Sequence, residues 1–289
     1  MSKKKEEKEN IFKNEKTPKI YPVIEEPPDP RIKPVHPHMI QPPALLLGIG
    51  AVKSGKTTTL NSILLQERED GFFGQDYFDQ VTIISNTIGN DPTARFLKKA
   101  FDVKDYYKDG DILEIIKKQD SFGEKKNMPF IALLLDDILG SNMKRNNEIS
   151  FLATRFRHKN IGLMGVFVQN FKSVDTILRN NATDIIIFRQ TNNKQLLQIA
   201  EEYHGQYGDM TTFMKIYKIA TEGKYNFLYL KIQDGTAYRN FETMIADGSN
   251  ILVGGDVDIS DLNMKSGGDV DMTKLQNVQA ESQKKKDIE

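Results

Sequence analysis

Chemistry is concentrated first in one short stretch, GIGAVKSGKTTTL, residues 48–60. Within it Gly50, Gly55, Lys56 and Thr57 complete the spacing G-x-x-x-x-G-K-[ST]. A glycine-rich turn of this kind points consecutive backbone N–H groups inward, where they cradle phosphate oxygens. The expected nucleotide contacts are Gly50, Ala51, Val52, Lys53, Ser54, Gly55, Lys56, Thr57 and Thr58, with Lys56 on the terminal phosphates and Thr57 on Mg²⁺. A second stretch, FIALLLDD, ends an apolar run in Asp136 and Asp137. Two acids there are costly to bury unless a metal or a reacting water uses them. Asp136 is expected to hold Mg²⁺ and Asp137 to polarise the attacking water, against the competing reading of an Asp pair that caps the loop at 138–141. A third stretch, GVFVQN, ends in Gln169, whose amide suits a γ-phosphate or the water beside it; the competing reading is an ordinary loop residue.

These groups need a scaffold that delivers all three to one edge. PALLLGIG reads as a buried strand running into the glycine turn, and the segment after it carries Leu60, Ile63 and Leu64 at helical spacing. A helix N-terminus then faces the phosphates. Further strands are expected in QVTIIS (80–85), PFIALLLDD (129–137), IGLMGVFVQ (161–169) and TDIIIFR (183–189). Helices are expected in DPTARFLKKAF with Asp91 as cap, GDILEIIKKQ, NNEISFLATRFRH, SVDTILRNN, NKQLLQIAEEYHG closed by Gly205, and 210–220. The stretch YNFLYLKIQDGTAYRN reads as a hairpin turning at Asp234 and Gly235. Apolar strands joined by helical crossovers give an α/β fold: a mainly parallel sheet, helices on both faces, and a C-terminal β-hairpin. Its ligands bind at the carboxyl edge.

Of the 289 residues, 38% are hydrophobic and 28% charged, and the formal net charge is zero. Nucleic-acid contact therefore needs a local basic patch; Lys98-Lys99, Lys117-Lys118, Lys125-Lys126 and Lys144-Arg145 are candidates, with solvated faces as the competing reading. The absence of cysteine removes disulfides and thiolate metal sites. No apolar run approaches the ~18 residues of a membrane span. Residues 1–42, rich in Lys and Pro, read as a flexible leader in which His36 and His38 belong to a linker rather than a metal site. Residues 43–245 read as the ATPase domain and 246–289 as a flexible tail with a repeat, GGDVDISD and GGDVDMTK, that lacks the closing Glu of a calcium loop.

The set GAVKSGKTT, ALLLDD, RFRHKNIGLMGVFVQ and ILRNNATDIIIF resembles the genome-packaging ATPases of large cytoplasmic DNA viruses and virophages, in the FtsK–HerA superfamily. The resemblance covers about residues 43–240. It implies a RecA-like (ASCE) P-loop fold in which the Gln169 strand lies between the P-loop strand and the acidic strand. It also implies a homo-oligomeric ring, usually a hexamer, that hydrolyses ATP at subunit interfaces. Double-stranded DNA, a capsid or portal-vertex protein, and a host-cytoplasmic or virion-associated location follow from the same likeness. An arginine from the neighbouring subunit is implied, with Arg157 and Arg155 first and Arg179 third as candidates. Asp137 departs from the Glu common at its position, so its base role needs a water-mediated reach. The alternatives are a HerA-like DNA-processing helicase and a nucleotide-binding assembly protein without turnover. A GTP switch requires N-K-x-D after a later strand, and neither SNTIGN nor RQTNNK supplies it.

Overall fold

The computed structural model describes residues 31–138, 147–253 and 259. The Lys144-Arg145 pair, most of the leader and nearly all of the tail repeat lie outside them. The elements below belong to one compact unit that begins at Lys33. Its strands are β1 (Ala44–Ile49), β2 (Gln80–Ser85), β3 (Asp102–Lys104), β4 (Ile131–Asp136), β5 (Ile161–Val168), β6 (Asp184–Phe188), β7 (Phe227–Lys231), β8 (Thr236–Arg239), β9 (Thr243–Asp247) and β10 (Asn250–Ile251). They form one sheet in the order β10-β9-β8-β7-β6-β1-β5-β4-β2-β3. β3, β2, β4, β5, β1 and β6 run parallel, and β7 to β10 extend the sheet antiparallel from β6. β5 therefore sits between β1 and β4, the placement that the resemblance implies.

Seven helices connect these strands among the described residues: α1 (Lys56–Leu65), α2 (Arg95–Ala100), α3 (Asp111–Asp120), α4 (Asn147–Arg155), α5 (Thr176–Asn181), α6 (Asn193–Tyr203) and α7 (Met210–Ala220). Every residue of β1, β4, β5 and β6 is buried. Side chains alternate across a strand, so burial of all of them means that both faces are covered. Leu45, Leu47 and Ile49 of β1 join one hydrophobic cluster with residues of α3 to α7, whereas Leu60, Ile63 and Leu64 of α1 are buried outside it.

Several boundaries differ from the sequence expectations for local reasons. The helix expected from Asp91 begins as a 3₁₀ turn, Pro92–Ala94, before α2, with the Asp91 carboxylate accepting from the Thr93 amide at 2.8 Å. Gly205 does not close α6. It lies within a 3₁₀ turn, and Gly208, at a positive φ of 96° open to glycine, ends it. The C-terminal hairpin is the first part of a longer antiparallel extension, and β9 and β10 carry the sheet past residue 245 to Ile251. Met39 and Ile40, within the Pro-rich leader by composition, are fully buried. The prolines there exclude helix, but two apolar side chains still find the core.

Candidate active site

β1 delivers the glycine turn. The Gly50 amide donates to the Val168 carbonyl at 3.0 Å, so β1 and β5 stay paired as both reach the carboxyl edge. Gly50 is confined: a Cβ there would fall 2.4 Å from Ser54 Oγ and 2.7 Å from the Phe188 ring. At φ 112°, Gly55 turns the chain into α1 through a conformation that other residues resist. Val52 and Lys53 lie exposed on the loop, while Thr57 is half-buried and Thr58 exposed at the start of α1. Ser54 Oγ is buried without a hydrogen-bond partner among the described residues.

Lys56 is 7% exposed, which is unusual for an ammonium group. Its Nζ donates to the carbonyls of Gly50 at 2.9 Å and Ala51 at 3.2 Å, and lies 3.6 Å from Asp137 Oδ2. Gln169 Nε2 donates to that same carboxylate oxygen at 3.0 Å. Lysine, second acid and glutamine thus meet on one oxygen, drawn together from α1, β4 and β5. Asp137 has φ 46°, a left-handed conformation that aspartate tolerates better than most residues. Its backbone is clamped there by the Phe167 carbonyl, which accepts from its amide at 3.0 Å, and by Asn86, which donates to its carbonyl at 3.3 Å.

Asp136 has a different environment. Its Oδ2 accepts from the Ser85 hydroxyl at 2.9 Å, while Oδ1 is buried with no partner among the described residues. Burial, with the neighbouring Asp137 charge second, pushes its carboxyl up from 3.8 to about 6, against the opposing pull of Ser85 and Lys56. A buried carboxylate oxygen without a donor is what a hard divalent cation satisfies, and Mg²⁺ takes one or two such ligands with a nucleotide's phosphates. The partnerless oxygen of Asp136 therefore fits Mg²⁺.

Three features here were not legible as site residues. Ser85, at the end of β2, orients Asp136. Asp91 caps its turn as expected. Its carboxyl is also held below the ordinary value: burial raises it, and hydrogen bonds from Thr93 and the Thr57 hydroxyl outweigh that. A chain of glutamines runs behind the site. Gln195 Nε2 donates to the Gln169 carbonyl at 3.0 Å and to Gln190 Oε1 at 2.5 Å. Gln190 Nε2 donates in turn to the carbonyls of Phe188 at 2.8 Å and Ile49 at 3.1 Å. The end of β5 is thereby tied to the end of β1.

The candidate arginines lie elsewhere. Arg157 sits in the 3₁₀ turn Phe156–Lys159 that precedes β5, with its guanidinium 5.4 Å from the Phe156 ring centroid. The eight residues of β5 separate that turn from Gln169, roughly 26 Å at ~3.3 Å per residue. Arg155 lies at the end of α4, 4.1 Å from the Phe151 ring centroid. Neither reaches the glycine turn of its own chain. Arg179 is ion-paired with Glu202, receives support from Thr176 at 3.0 Å, and packs 4.9 Å from the Phe171 ring centroid. Of the lysine clusters, Lys98 bonds the Gly89 carbonyl, Lys118 bonds Gln80, and Lys126 pairs with Glu124.

No protein-family model matches this chain, and no curated protein matches it. Solved structures similar to it include the genome packaging NTPase B204 of Sulfolobus turreted icosahedral virus 2 in complex with AMP, at 17% identity and TM-score 0.49, covering 68% of this chain and 96% of that one. B204, the DNA-packaging ATPase from Sulfolobus turreted icosahedral virus, matches at 16% identity and TM-score 0.49, over 69% of this chain and 98% of that one. EssC (ATPases 2 and 3) from Geobacillus thermodenitrificans matches at 12% identity and TM-score 0.46, over 85% of this chain and 44% of that one.

Proposed function

We propose that this chain is an ATP-hydrolysing motor that drives double-stranded viral DNA into a capsid, working as a homo-oligomeric ring in the host cytoplasm or on the virion. The observation that carries the ATPase reading is the convergence of Lys56, Asp137 and Gln169 on one carboxylate oxygen, beside a buried Asp136 with a donorless oxygen. Backbone amides of residues 50–57 bind the phosphates. Lys56 exchanges the Gly50 and Ala51 carbonyls for phosphate oxygens, and in leaving Asp137 it frees that carboxylate to accept a proton from the attacking water. Gln169, already bonded to Asp137, orients the same water. Thr57 and Asp136 would hold Mg²⁺, which supplies charge neutralisation at the β- and γ-phosphates.

The motor and packaging parts of the reading rest on the motif set in the sequence and on the β1-β5-β4 strand order. They are tested by ATP turnover measured with and without double-stranded DNA over a range of protein concentrations. Turnover per chain should rise with concentration as rings assemble and rise again with DNA. Specific activity that stays constant down to a demonstrated monomer, unaffected by DNA, refutes the motor.

A further inference from the structure

The ladder that holds β5 stops one residue short of Gln169. Pairing with β1 ends at Ile49–Val168, where β1 turns into the glycine loop, and pairing with β4 ends at Asp136–Phe167. The amides of Gly50 and Asp137 close the two sides on the Val168 and Phe167 carbonyls. Among the described residues no strand pairs with Gln169, yet its side chain is held 3.0 Å from Asp137 Oδ2.

A side chain does the holding. Gln195 Nε2 donates to the Gln169 carbonyl at 3.0 Å, and Gln195 Oε1 accepts from the Phe171 amide at 3.2 Å. One amide group thus grips the backbone on both sides of Asn170. These two partners fix its orientation, since only the nitrogen can meet a carbonyl and only the oxygen an N–H. Its nitrogen donates again, to Oε1 of the buried Gln190, whose own Nε2 reaches the Ile49 carbonyl at 3.1 Å. Two side chains therefore join the last carbonyl of the phosphate-loop strand to the carbonyl of Gln169.

The placement follows from α6. Gln195 is its third residue, in a first turn capped by Asn192, whose side chain accepts from the amides of Lys194 at 3.0 Å and Gln195 at 3.4 Å. Helical side chains tilt toward the helix N-terminus, and α6 begins at the carboxyl edge just after β6. The amide is thereby aimed at the end of β5.

We propose that Gln195 is a positioning residue for hydrolysis: it sets the reach of Gln169 to Asp137 and, through Gln190, ties that reach to the strand carrying the phosphate loop. The inference rests on the reading of Gln169 as the group that orients the attacking water. Gln195 acts through Gln169 and adds nothing to nucleotide affinity.

The test is a double-mutant cycle on the full chain, with ATP turnover read as kcat and binding of a methylene-bridged ATP analogue with Mg²⁺ read by calorimetry. Gln195→Met keeps the length and deletes all three bonds. Gln195→Glu keeps the shape and the bond from Phe171 but sets a carboxylate against two oxygens, and it carries the test should Gln195→Met fail to fold. Each should lower kcat by about tenfold or more, with analogue affinity unchanged, because small misplacements of a reacting group cost rate rather than binding. In a Gln169→Ala background Gln195→Met should have no further effect. Wild-type kcat in the Gln195 variants overturns the proposal. So does an equal fall in the Gln169→Ala background, or a loss of analogue affinity as large as the loss of kcat, which would make Gln195 a prop for the phosphate loop. Wild-type turnover in Gln169→Ala alone instead refutes the water-orienting reading of Gln169, and this inference with it.

Discussion

Asp136→Asn separates the cost of the site from its use. The substitution keeps shape and lets Ser85 go on donating to a side-chain oxygen, but removes a charge that is 4% exposed. In the folded chain Asp136 keeps its proton until about pH 6, whereas an ordinary aspartate gives it up near 3.8. Between those values the unfolded chain binds fewer protons, so this group lowers stability as pH rises from about 4 to about 6, with no further change above. At ~1.36 kcal/mol per pH unit, the gap between 3.8 and about 6 amounts to on the order of 3 kcal/mol. The new amide carries its own cost, since its N–H₂ inherits the site of the partnerless Oδ1 and an unsatisfied buried group costs about 1–3 kcal/mol. That cost is independent of pH, whereas the charge term is not. Urea denaturation of both proteins at pH 4 and pH 8, in buffer with a divalent-cation chelator, therefore isolates the charge. The variant should gain on the wild type by on the order of 3 kcal/mol between the two pH values. It should also lose Mg²⁺-dependent nucleotide affinity, the trade-off expected where a functional charge is kept at the expense of stability. Parallel pH profiles for the two proteins would refute the claim that Asp136 is buried at a cost.

Lys56→Ala should abolish ATP turnover while near-ultraviolet circular dichroism stays native, because Asp137 retains its bond from Gln169; turnover near wild type refutes the phosphate role. Asp137→Asn should bind nucleotide as the wild type does but stall hydrolysis, and a loss of affinity matching that of Asp136→Asn would show that the two acids share one role. Arg157→Ala should bind ATP and assemble yet hydrolyse slowly, since a trans arginine is worth about 10³-fold or more. Mixed with Lys56→Ala chains it should recover activity at interfaces that combine an intact lysine with an intact arginine. Failure of that mixture to exceed the sum of its parts moves the role to Arg155 or Arg179, or out of the interface altogether.

What could be read from the sequence was what is encoded locally. The glycine spacing, the apolar runs ending in Asp136-Asp137 and Gln169, and the 210–220 helix are each contained in a dozen residues or fewer. Their positions in the structure match that reading. Strand order is not local: periodicity identifies β1, β4 and β5 but says nothing of β5 lying between the others, which only the resemblance implied. Ser85, Gln190 and Gln195 were invisible for the same reason, since each gains its place through partners up to 141 residues away. β9 and β10 went unread because TMIAD and NI are too short and mixed to stand out from a tail.

β5 has two ends with different company. Its last residue precedes the glutamine that touches the second acid, and its first follows the turn that carries Arg157. All eight of its residues are buried, and packed interiors at crystal-like density transmit displacement rather than absorb it. In the ring proposed above, such a strand would serve as a push-rod. Within a ring, a shift of Gln169 along the strand axis as a phosphate leaves would reappear at the arginine turn on the far edge of the same subunit. One chain's chemistry would then set the readiness of the next, and firing in sequence around the ring would need no element beyond a stiff rod of about 26 Å.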